Sequence, residues 1–312
     1  MKKNSVSPNQ LRLGLCCQFV AQPIKFQTTT VAALSRLPRG AQLQKLAGLA
    51  EANAKALLAA LEFCAANGIG SFRILSSILP VKTHPTAGYR IEELPGADAL
   101  VAQFRRSGEF ARAHGIRTGF HPDQFVVLNS PDADIVKRSV ADIEAQSEIA
   151  EWTNADTVNI HGGGGYGDKT LALQRFQRNL DLLSPRARTR LTVENDDKTF
   201  TPADLLPVCR ATGVPLVYDA HHHRCCPDEL SVEAATAAAA ATWNREPLFH
   251  ISSPIEGWSG PKPERHHDYI SADDFPKAWL GWPLTVEVEA KAKELAVKKL
   301  SAELGQKNLT KK

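Results

Sequence analysis

Short apolar runs alternate with helix-length amphipathic stretches along the chain, and this alternation restricts the possible folds more than any other feature. The apolar runs occupy residues 11–17, 71–76, 117–121, 157–161, 191–195, 215–219, 248–252 and 284–289. The helical stretches occupy residues 44–67, 97–114, 133–152, 169–183, 201–212, 231–243, 272–280 and 291–304. Short continuous apolar runs are typical of parallel strands that are buried on both faces.

Eight strands alternating with eight helices predict an α/β fold, a (β/α)8 TIM barrel in a single domain. We assign residues 11–304 to this barrel. Residues 1–10 and the polar, lysine-bearing tail of residues 305–312 are interpreted as disordered. A doubly wound open sheet remains an alternative, because the sequence does not reveal the order of the strands.

Several helix ends carry local signals. Thr201-Pro202 combines a capping hydroxyl with a proline in the first turn. Gly68, Gly115 and Gly213 stand where a helix C-terminus needs a left-handed residue.

Charge and cysteine content limit the classes of function and compartment. The 37 basic and 34 acidic residues give a net charge of only +3, so DNA binding would require a local basic surface. None of the six cysteines forms a C-x-x-C pair, and four of them occur as adjacent doublets that make poor disulfides. Without an apolar leader or a membrane-length apolar run, we expect a reduced, cytoplasmic monomer with no membrane partner.

Polar side chains with metal-binding groups follow six consecutive predicted strands. These residues are His121, His161, Glu194, Asp219, His221, His222, His223, His250, Glu287 and Glu289. One such histidine alone would be interpreted as a hydrogen-bonded core residue. Six strands that place such side chains at one mouth of the barrel indicate bound metal. Metal ions offset the free energy that is lost when polar groups converge without partners.

Imidazole and carboxylate ligands without thiolate favour Zn or Mn over Mg or Ca. Two or more ions about 3.5–4 Å apart are a common device for hydrolysing phosphate esters. A metal cluster at the mouth would therefore suit the hydrolysis of phosphate esters.

Two other motifs have competing interpretations. Gly162-x-Gly164-x-x-Gly167 matches a dinucleotide fingerprint, but it follows the fourth strand and lies in a glycine-rich run. We prefer a loop whose glycines allow close approach of backbone to a ligand beside His161. The run from His221 to Cys226 could bind zinc by itself, yet its spacing fits no common His/Cys pattern and adjacent residues on a strand alternate faces.

These motifs together resemble the UV damage endonucleases, a TIM-barrel family related in architecture to endonuclease IV-type AP endonucleases and to xylose isomerases. The resemblance spans roughly residues 11–294. Its motifs are Leu13-Gly14, Arg73-Ile74 with Ser76, Thr83-His84-Pro85, His121-Pro122-x-Gln124-Phe125, Asn129-x-Pro131-Asp132, His161-x-Gly163-Gly164-x-Tyr166-Gly167, Val193-Glu194-Asn195-Asp196, Asp219-x-x-His222-His223, His250-Ile251-Ser252 and Val288-Glu289-Ala290-Lys291.

The resemblance implies a set of site residues and an activity. The implied metal ligands are His121, His161, Glu194, Asp219, His222, His250, His267 and Glu289. Adjacent His266 is the alternative to His267. Glu194 and His84 would be catalytic, with His84 at the metal and phosphate site. Gln124, Phe125 and Tyr166 would contact DNA, the first two as a pair inserted beside the lesion. The implied reaction is incision 5′ to UV photoproducts in double-stranded DNA, with two or three divalent ions, Mn²⁺ or Zn²⁺.

Four positions depart from the family pattern. Phe125 replaces the usual tyrosine, Leu15 a first-strand tyrosine, Phe19 an asparagine and Leu248 a lysine. The ligands are therefore retained while several polar groups near the lesion or phosphate are not. Whether these departures change the substrate stays open.

Four alternative functions stay open beside a UV-lesion endonuclease. An AP-endonuclease-like enzyme, or a divergent phosphoesterase, would use the same metals. A xylose-isomerase-like sugar isomerase would use the same barrel, although such sites rely mostly on carboxylates. A damage-binding protein that has lost turnover is the non-enzymatic alternative.

Overall fold

The eight strands form one parallel sheet. A computed structural model describes residues 11–309 of the chain, with side chains for residues 11–305. The strands are β1 (Arg12–Cys16), β2 (Ser71–Ile74), β3 (Arg117–Phe120), β4 (Thr157–His161), β5 (Leu191–Glu194), β6 (Leu216–Val217), β7 (Leu248–Ile251) and β8 (Thr285–Val288). Their order in the sheet is β6-β5-β4-β3-β2-β1-β8-β7. Each predicted strand is therefore confirmed.

The two ends of this order meet between β6 and β7. The His250 amide donates a hydrogen bond to the Tyr218 carbonyl at 3.0 Å, and Asp219 forms a parallel bridge with His250. An open sheet would leave both edge strands unpaired. The structure thus confirms the TIM barrel and excludes the doubly wound sheet.

Helices cover the outside of the barrel. They are α1 (Val31–Leu34), α2 (Arg39–Ala66), α3 (Ala97–Ala113), α4 (Ala133–Thr153), α5 (Lys169–Asn179), α6 (Pro185–Arg188), α7 (Pro202–Thr212), α8 (Ala220–Cys225), α9 (Val232–Ala240) and α10 (Glu294–Leu309). Helix α2 packs against α3, and α3 packs against α4. Within residues 11–309, no helix combines the length and the apolar character needed to cross a bilayer.

The predicted helix ends are confirmed. The Thr201 hydroxyl accepts a hydrogen bond from the Asp204 amide, and Pro202 occupies the first turn of α7. Gly68, Gly115 and Gly213 have φ of 68°, 65° and 72°, as a left-handed residue at a helix end requires.

Two of the sequence expectations about helices are wrong. The segment 272–280 contains only a 3₁₀ turn at Lys277–Trp279, because Pro276 stands in extended conformation before it and Gly281 follows. The residues from His221 to His223 lie on α8 and not on a strand, since the Asp219 side chain accepts from the His222 amide and begins a helix there.

The chain ends differ in part from the prediction. Helix α10 extends to Leu309, beyond the predicted barrel boundary at Leu304. Residues 1–10 and 310–312, which were predicted to be disordered, lie outside the described residues.

The contact of α3 with α4 depends on a glycine. A Cβ atom at Gly108 would lie 2.6 Å from the backbone carbonyl carbon of Thr153, whereas one at Gly48 in α2 would meet nothing within 4 Å. Gly108→Ala should lower the free energy of unfolding by about 1–3 kcal/mol through overpacking. The control Gly48→Ala should raise it by up to about 1 kcal/mol through helix propensity. Urea unfolding of both variants checks this, and equal stabilisation by both would contradict it.

Candidate metal centre

Most of the predicted ligands lie together at the carboxyl ends of the strands. His161 and Glu194 are register partners at the ends of β4 and β5. His121, Asp219 and Glu289 directly follow or lie just beyond β3, β6 and β8, while α8 carries His222 and β7 carries His250. The carboxyl ends of all eight strands open at one mouth, so the fold itself gathers these side chains.

The ligand atoms form three overlapping groups, each with all atoms within 4.8 Å of one another. The groups are His121, His161 and Glu194; His121, His250 and Glu289; and Glu194, Asp219 and His222. Seven of the eight predicted ligands are therefore brought together. Because His121 and Glu194 belong to two groups each, the arrangement can bridge more than one divalent cation.

Glu194 lies at the centre of the cluster and is fully buried. Its Oε2 accepts a hydrogen bond from Asn159 Nδ2 at 2.6 Å and lies 3.0 Å from His121 Nε2 and 3.2 Å from His250 Nδ1. Burial opposes the charge, but the rings of His250 and His161 hold the pKa of Glu194 well below its usual range. The carboxylate is thus ionised and available to a metal.

Three buried atoms of the cluster have no hydrogen-bond partner among the described residues. They are Glu194 Oε1, Asp219 Oδ2 and His161 Nδ1. An unsatisfied buried polar atom costs about 1–3 kcal/mol, and more when it is charged. Divalent cations would satisfy all three, and the His, Asp and Glu donor set suits Zn or Mn. The residues present therefore fit a metal centre.

Backbone carbonyls orient two of the imidazole rings. His121 Nδ1 donates to the Pro122 carbonyl and His222 Nδ1 to the Asn195 carbonyl, both at 3.0 Å. A carbonyl only accepts, so Nδ1 carries a proton, and Nε2 is the nitrogen that would bind a metal when the ring is neutral. The Asn195 side chain also bonds both the amide and the carbonyl of Asp219 at 2.9 Å, which fixes the start of α8.

The structure places His266, and not His267, at the cavity above the cluster, while the identity of the eighth ligand stays a prediction. His267 Nδ1 accepts from the Tyr269 amide at 2.9 Å, which commits that nitrogen to the loop backbone. His266 lines the cavity, and its Nδ1 lies 3.7 Å from Glu289 Oε2. Adjacent residues in this extended segment point in different directions, so only one of the two faces the cluster.

His84 is not brought to the cluster. It lies in the loop after β2, where its Nδ1 accepts from the amides of Thr86 and Ala87 at 3.2 and 3.3 Å. Among the described residues, it belongs neither to the ligand groups nor to the cavity lining. The structure gives no contact that supports a catalytic role for it.

A cavity of about 750 Å³ opens above the cluster. Gln124, Phe125 and Tyr166 line it, together with the ligands His121, His161 and Glu194. Phe125 is 76% exposed and Tyr166 47% exposed. Neither ring is buried in the core, so both are accessible from the cavity.

The glycine-rich loop after β4 packs closely on its neighbour. Gly163 has φ of 89°, and a Cβ there would overlap the Asn129 side chain. Asn129 Nδ2 in turn donates to the Gly164 carbonyl at 2.8 Å. Gly163 thus permits close packing of this loop on Asn129, and the approach of a ligand to the loop backbone beside His161 stays a prediction.

A model of the UV-endonuclease UvdE family matches residues 11–311 of the chain. The chain belongs to the UV-endonuclease UvdE family. It is 35% identical over 306 residues to a UV DNA damage endonuclease of Deinococcus radiodurans, covering 92% of this chain and 93% of that protein. The solved structure of SacUVDE superposes with a TM-score of 0.86 at 26% identity, covering 96% of this chain and 99% of that one.

Endonuclease IV of Thermus thermophilus shares the barrel with this member of the UvdE family. Its TM-score is 0.61 at 16% identity, with 95% of this chain and 98% of that chain covered. Identity at this level shows the fold alone.

Two buried charged residues of this UvdE-family site make a contact that the sequence did not predict: Arg73 had no assigned role, and Glu287 was expected only as one of the metal-binding side chains. Arg73 on β2 and Glu287 on β8 are both buried, and the Arg73 Nη2–Glu287 Oε2 distance is 2.5 Å. Burial opposes ionisation, but Arg73 and His250 lower the pKa of Glu287 to about 2. Two signals pointed to Arg73: its charge inside an apolar run and its place in the Arg73-Ile74 motif of the family resemblance.

The electrostatics predict that metal loading releases protons. Burial lowers the pKa of His250, but the negative charge of Glu194 outweighs burial and raises this pKa to about 10. Burial also opposes the charge of His222, but Asp219 and Glu194 raise the pKa of His222 well above its usual value. Both rings are therefore protonated in metal-free protein at pH 7, and a ligand must be neutral. Zn²⁺ binding should release protons and weaken as pH falls from 8 to 6.

Calorimetric Zn²⁺ titrations in buffers of different ionisation enthalpy measure this release. Heats that do not depend on the buffer, with affinity unchanged across the pH range, would contradict the prediction.

Proposed function

We propose that this member of the UV-endonuclease family cleaves the phosphodiester bond 5′ to UV photoproducts or related lesions in double-stranded DNA, with two or three Mn²⁺ or Zn²⁺ ions. The family makes the chain an endonuclease, a hydrolase that acts on DNA. The observation that carries the proposal is the set of seven converging candidate ligands, three of whose buried atoms have no hydrogen-bond partner in the described part of the chain.

The chemistry follows from the positions of the side chains. When bound, divalent cations lower the pKa of a water molecule and offset the charge of the phosphate. Glu194 would be shared between the cations, and Asn159 holds its Oε2 at 2.6 Å. The ligands lie on strand ends and on α8, which a rigid barrel fixes in place, so their spacing does not have to change during the reaction.

The rim of the cavity supports DNA as the substrate. Arg138 and Lys198 line it, and such basic side chains can contact phosphates. Arg175 lies over the Tyr166 ring, with its guanidinium carbon 5.7 Å from the ring centre. Gln124 and Phe125 would fill the gap left when damaged nucleotides leave the stack.

The departures from the family pattern build apolar core instead of polar contacts. Leu15 is fully buried and Leu248 almost so. The Phe19 ring packs on Phe63 and Phe72 at 5.2 and 6.1 Å between centroids. We therefore propose that lesion recognition depends mainly on the loop with Gln124 and Phe125.

The oligomeric state and the compartment are also proposals. All seven clustered ligands come from one chain, which supports a monomer as the active form. All six cysteines are free, which supports a reducing cytoplasm.

One assay separates the remaining alternatives. Metal-loaded protein is incubated with UV-irradiated, apurinic and untreated plasmid, and with a panel of sugars. Nicking confined to irradiated plasmid supports the proposal. Cleavage of apurinic plasmid alone, sugar isomerisation, or tight binding to damage without nicking would each replace it with the corresponding alternative.

Glu194→Gln tests the catalytic centre. The substitution keeps the size of the side chain but removes a charge shared between cations, so nicking should fall by orders of magnitude while the fold is kept. Glu246→Gln is the matched control, because Glu246 pairs with Arg12 at 3.1 Å at the opposite end of the barrel. Nicking of irradiated plasmid and melting temperature are measured on both variants. A Glu194→Gln variant that nicks at nearly the wild-type rate would show that the assignment is wrong.

Phe125→Ala tests the DNA wedge. An aromatic ring that stacks on a base contributes about 1–3 kcal/mol, so affinity for a lesion duplex should fall about ten- to a hundred-fold. The ring is 76% exposed, so the melting temperature should barely change. Phe125→Tyr should keep affinity, and Leu182→Ala, another exposed apolar side chain, is the control. Unchanged lesion affinity in Phe125→Ala would rule out the wedge.

A further inference from the structure

A second concave surface lies on the outside of the barrel, between helices α4 and α5. This α4–α5 groove has a volume of about 400 Å³. Lys137 of α4 lines it together with Arg175 and Arg178 of α5, and no carboxylate of the described residues does. Like charges that share a groove repel one another and attract counter-ions, so this surface favours an anionic occupant.

The α4–α5 groove is continuous with the rim of the metal cavity. Arg138, which follows Lys137 on α4, lines the cavity. On α5, the guanidinium carbon of Arg175 lies 5.7 Å from the centre of the Tyr166 ring, and Tyr166 also lines the cavity. Basic side chains on both helices therefore extend from the mouth of the barrel to its outer face.

The loop that carries Phe125 ends at the same groove. Phe125 lines the cavity, whereas Ser130 and Pro131, further along this loop, line the groove. Arg175 Nε donates to the Asn129 carbonyl at 2.8 Å, so α5 supports the loop from the side of the groove. A duplex that is held at Phe125 would thus have one of its flanks beside the groove.

The protein itself does not compensate most of this positive charge. Lys137, Arg138 and Arg178 are exposed. Within the described part of the chain, none of these three side chains makes an ion pair or a hydrogen bond. Lys169, at the start of α5, differs from them because it pairs with Asp204 at 2.9 Å. The three cations are therefore available to an external anion.

We infer that the α4–α5 groove and Arg138 bind the phosphate backbone of the duplex in the flank of the lesion. The inference rests on the proposed function, and it supplies the local basic surface that a chain with a net charge of +3 needs for DNA binding. Continuity with the cavity favours the DNA substrate over an acidic segment of another protein. Phosphate contacts of this kind strengthen the binding of damaged and undamaged duplex alike.

The double variant Lys137→Gln/Arg178→Gln tests the inference, because it removes two charges that do not line the cavity. Each lost phosphate contact reduces the slope of log affinity against log salt by about 0.9, so the slope should become shallower by about two. The advantage of the wild type in affinity should then shrink about ten-fold between about 50 and 200 mM salt. Affinity for metal-loaded protein is measured with lesion-bearing and undamaged duplex, and Zn²⁺ content and melting temperature should not change.

Trimming the duplex separates a local contact from a general effect of charge. Each flank of the lesion is shortened in turn to a few base pairs, and shortening one of the two should abolish the difference between wild type and double variant. Arg105→Gln/Arg106→Gln is the matched control. It removes the same charge from exposed positions on α3, outside both the groove and the cavity lining, and should keep the wild-type affinity and salt slope.

The results distinguish this inference from the proposed function. Wild-type protein that does not nick irradiated plasmid would refute the proposed function, while the salt slopes on undamaged duplex would still decide the inference. An unchanged affinity and slope in Lys137→Gln/Arg178→Gln would overturn the inference and leave an acidic protein segment as the alternative occupant. An equal loss in the Arg105→Gln/Arg106→Gln control, or a loss that persists whichever flank is trimmed, would also overturn it, because net charge alone would then explain the effect.

Discussion

The buried charge of Glu194 is the interaction on which the architecture of the mouth depends. A carboxylate without solvent must be compensated, and here imidazole rings and the Asn159 amide surround one oxygen while the other has no hydrogen-bond partner among the described residues. Next to this cluster, the positive charge of Arg73 compensates the buried carboxylate of Glu287. Arg73 also contacts Glu289, whereas Glu194 Oε1 and Asp219 Oδ2 have no hydrogen-bond partner among the described residues and are available to metal ions where the cavity opens.

The barrel was predictable because its strands are continuous apolar runs, and each run became a strand of the closed sheet. Closure of the barrel was not predictable from the sequence, because the bridge between Asp219 and His250 joins residues that are distant in sequence. The helix expected at residues 272–280 failed because Pro276 favours extended backbone, which outweighs the apolar pattern. The pattern of apolar residues also failed to predict α8, because this short helix begins at the capping carboxylate of Asp219.

The convergence of these side chains was predictable from strand ends and from the family resemblance, because the fold puts those ends at one mouth. The loop conformation was needed to decide which of His266 and His267 lies at the cavity, because no periodic pattern in the sequence predicts the conformation of a loop. The exposure of Phe125 was equally hidden, since Val126, Val127 and Leu128 continue the same apolar run and are buried. The contact of Glu287 with His250 depends on strand register, and register is a property of the folded sheet.

The central claim is that these side chains form a centre for more than one divalent cation. Elemental analysis of the purified chain, after reconstitution with Mn²⁺ or Zn²⁺ and removal of free ions, tests it most directly. The seven converging ligands exceed what one ion can use, so we expect more than one tightly bound equivalent per chain. One equivalent or less in the wild-type protein would contradict the account.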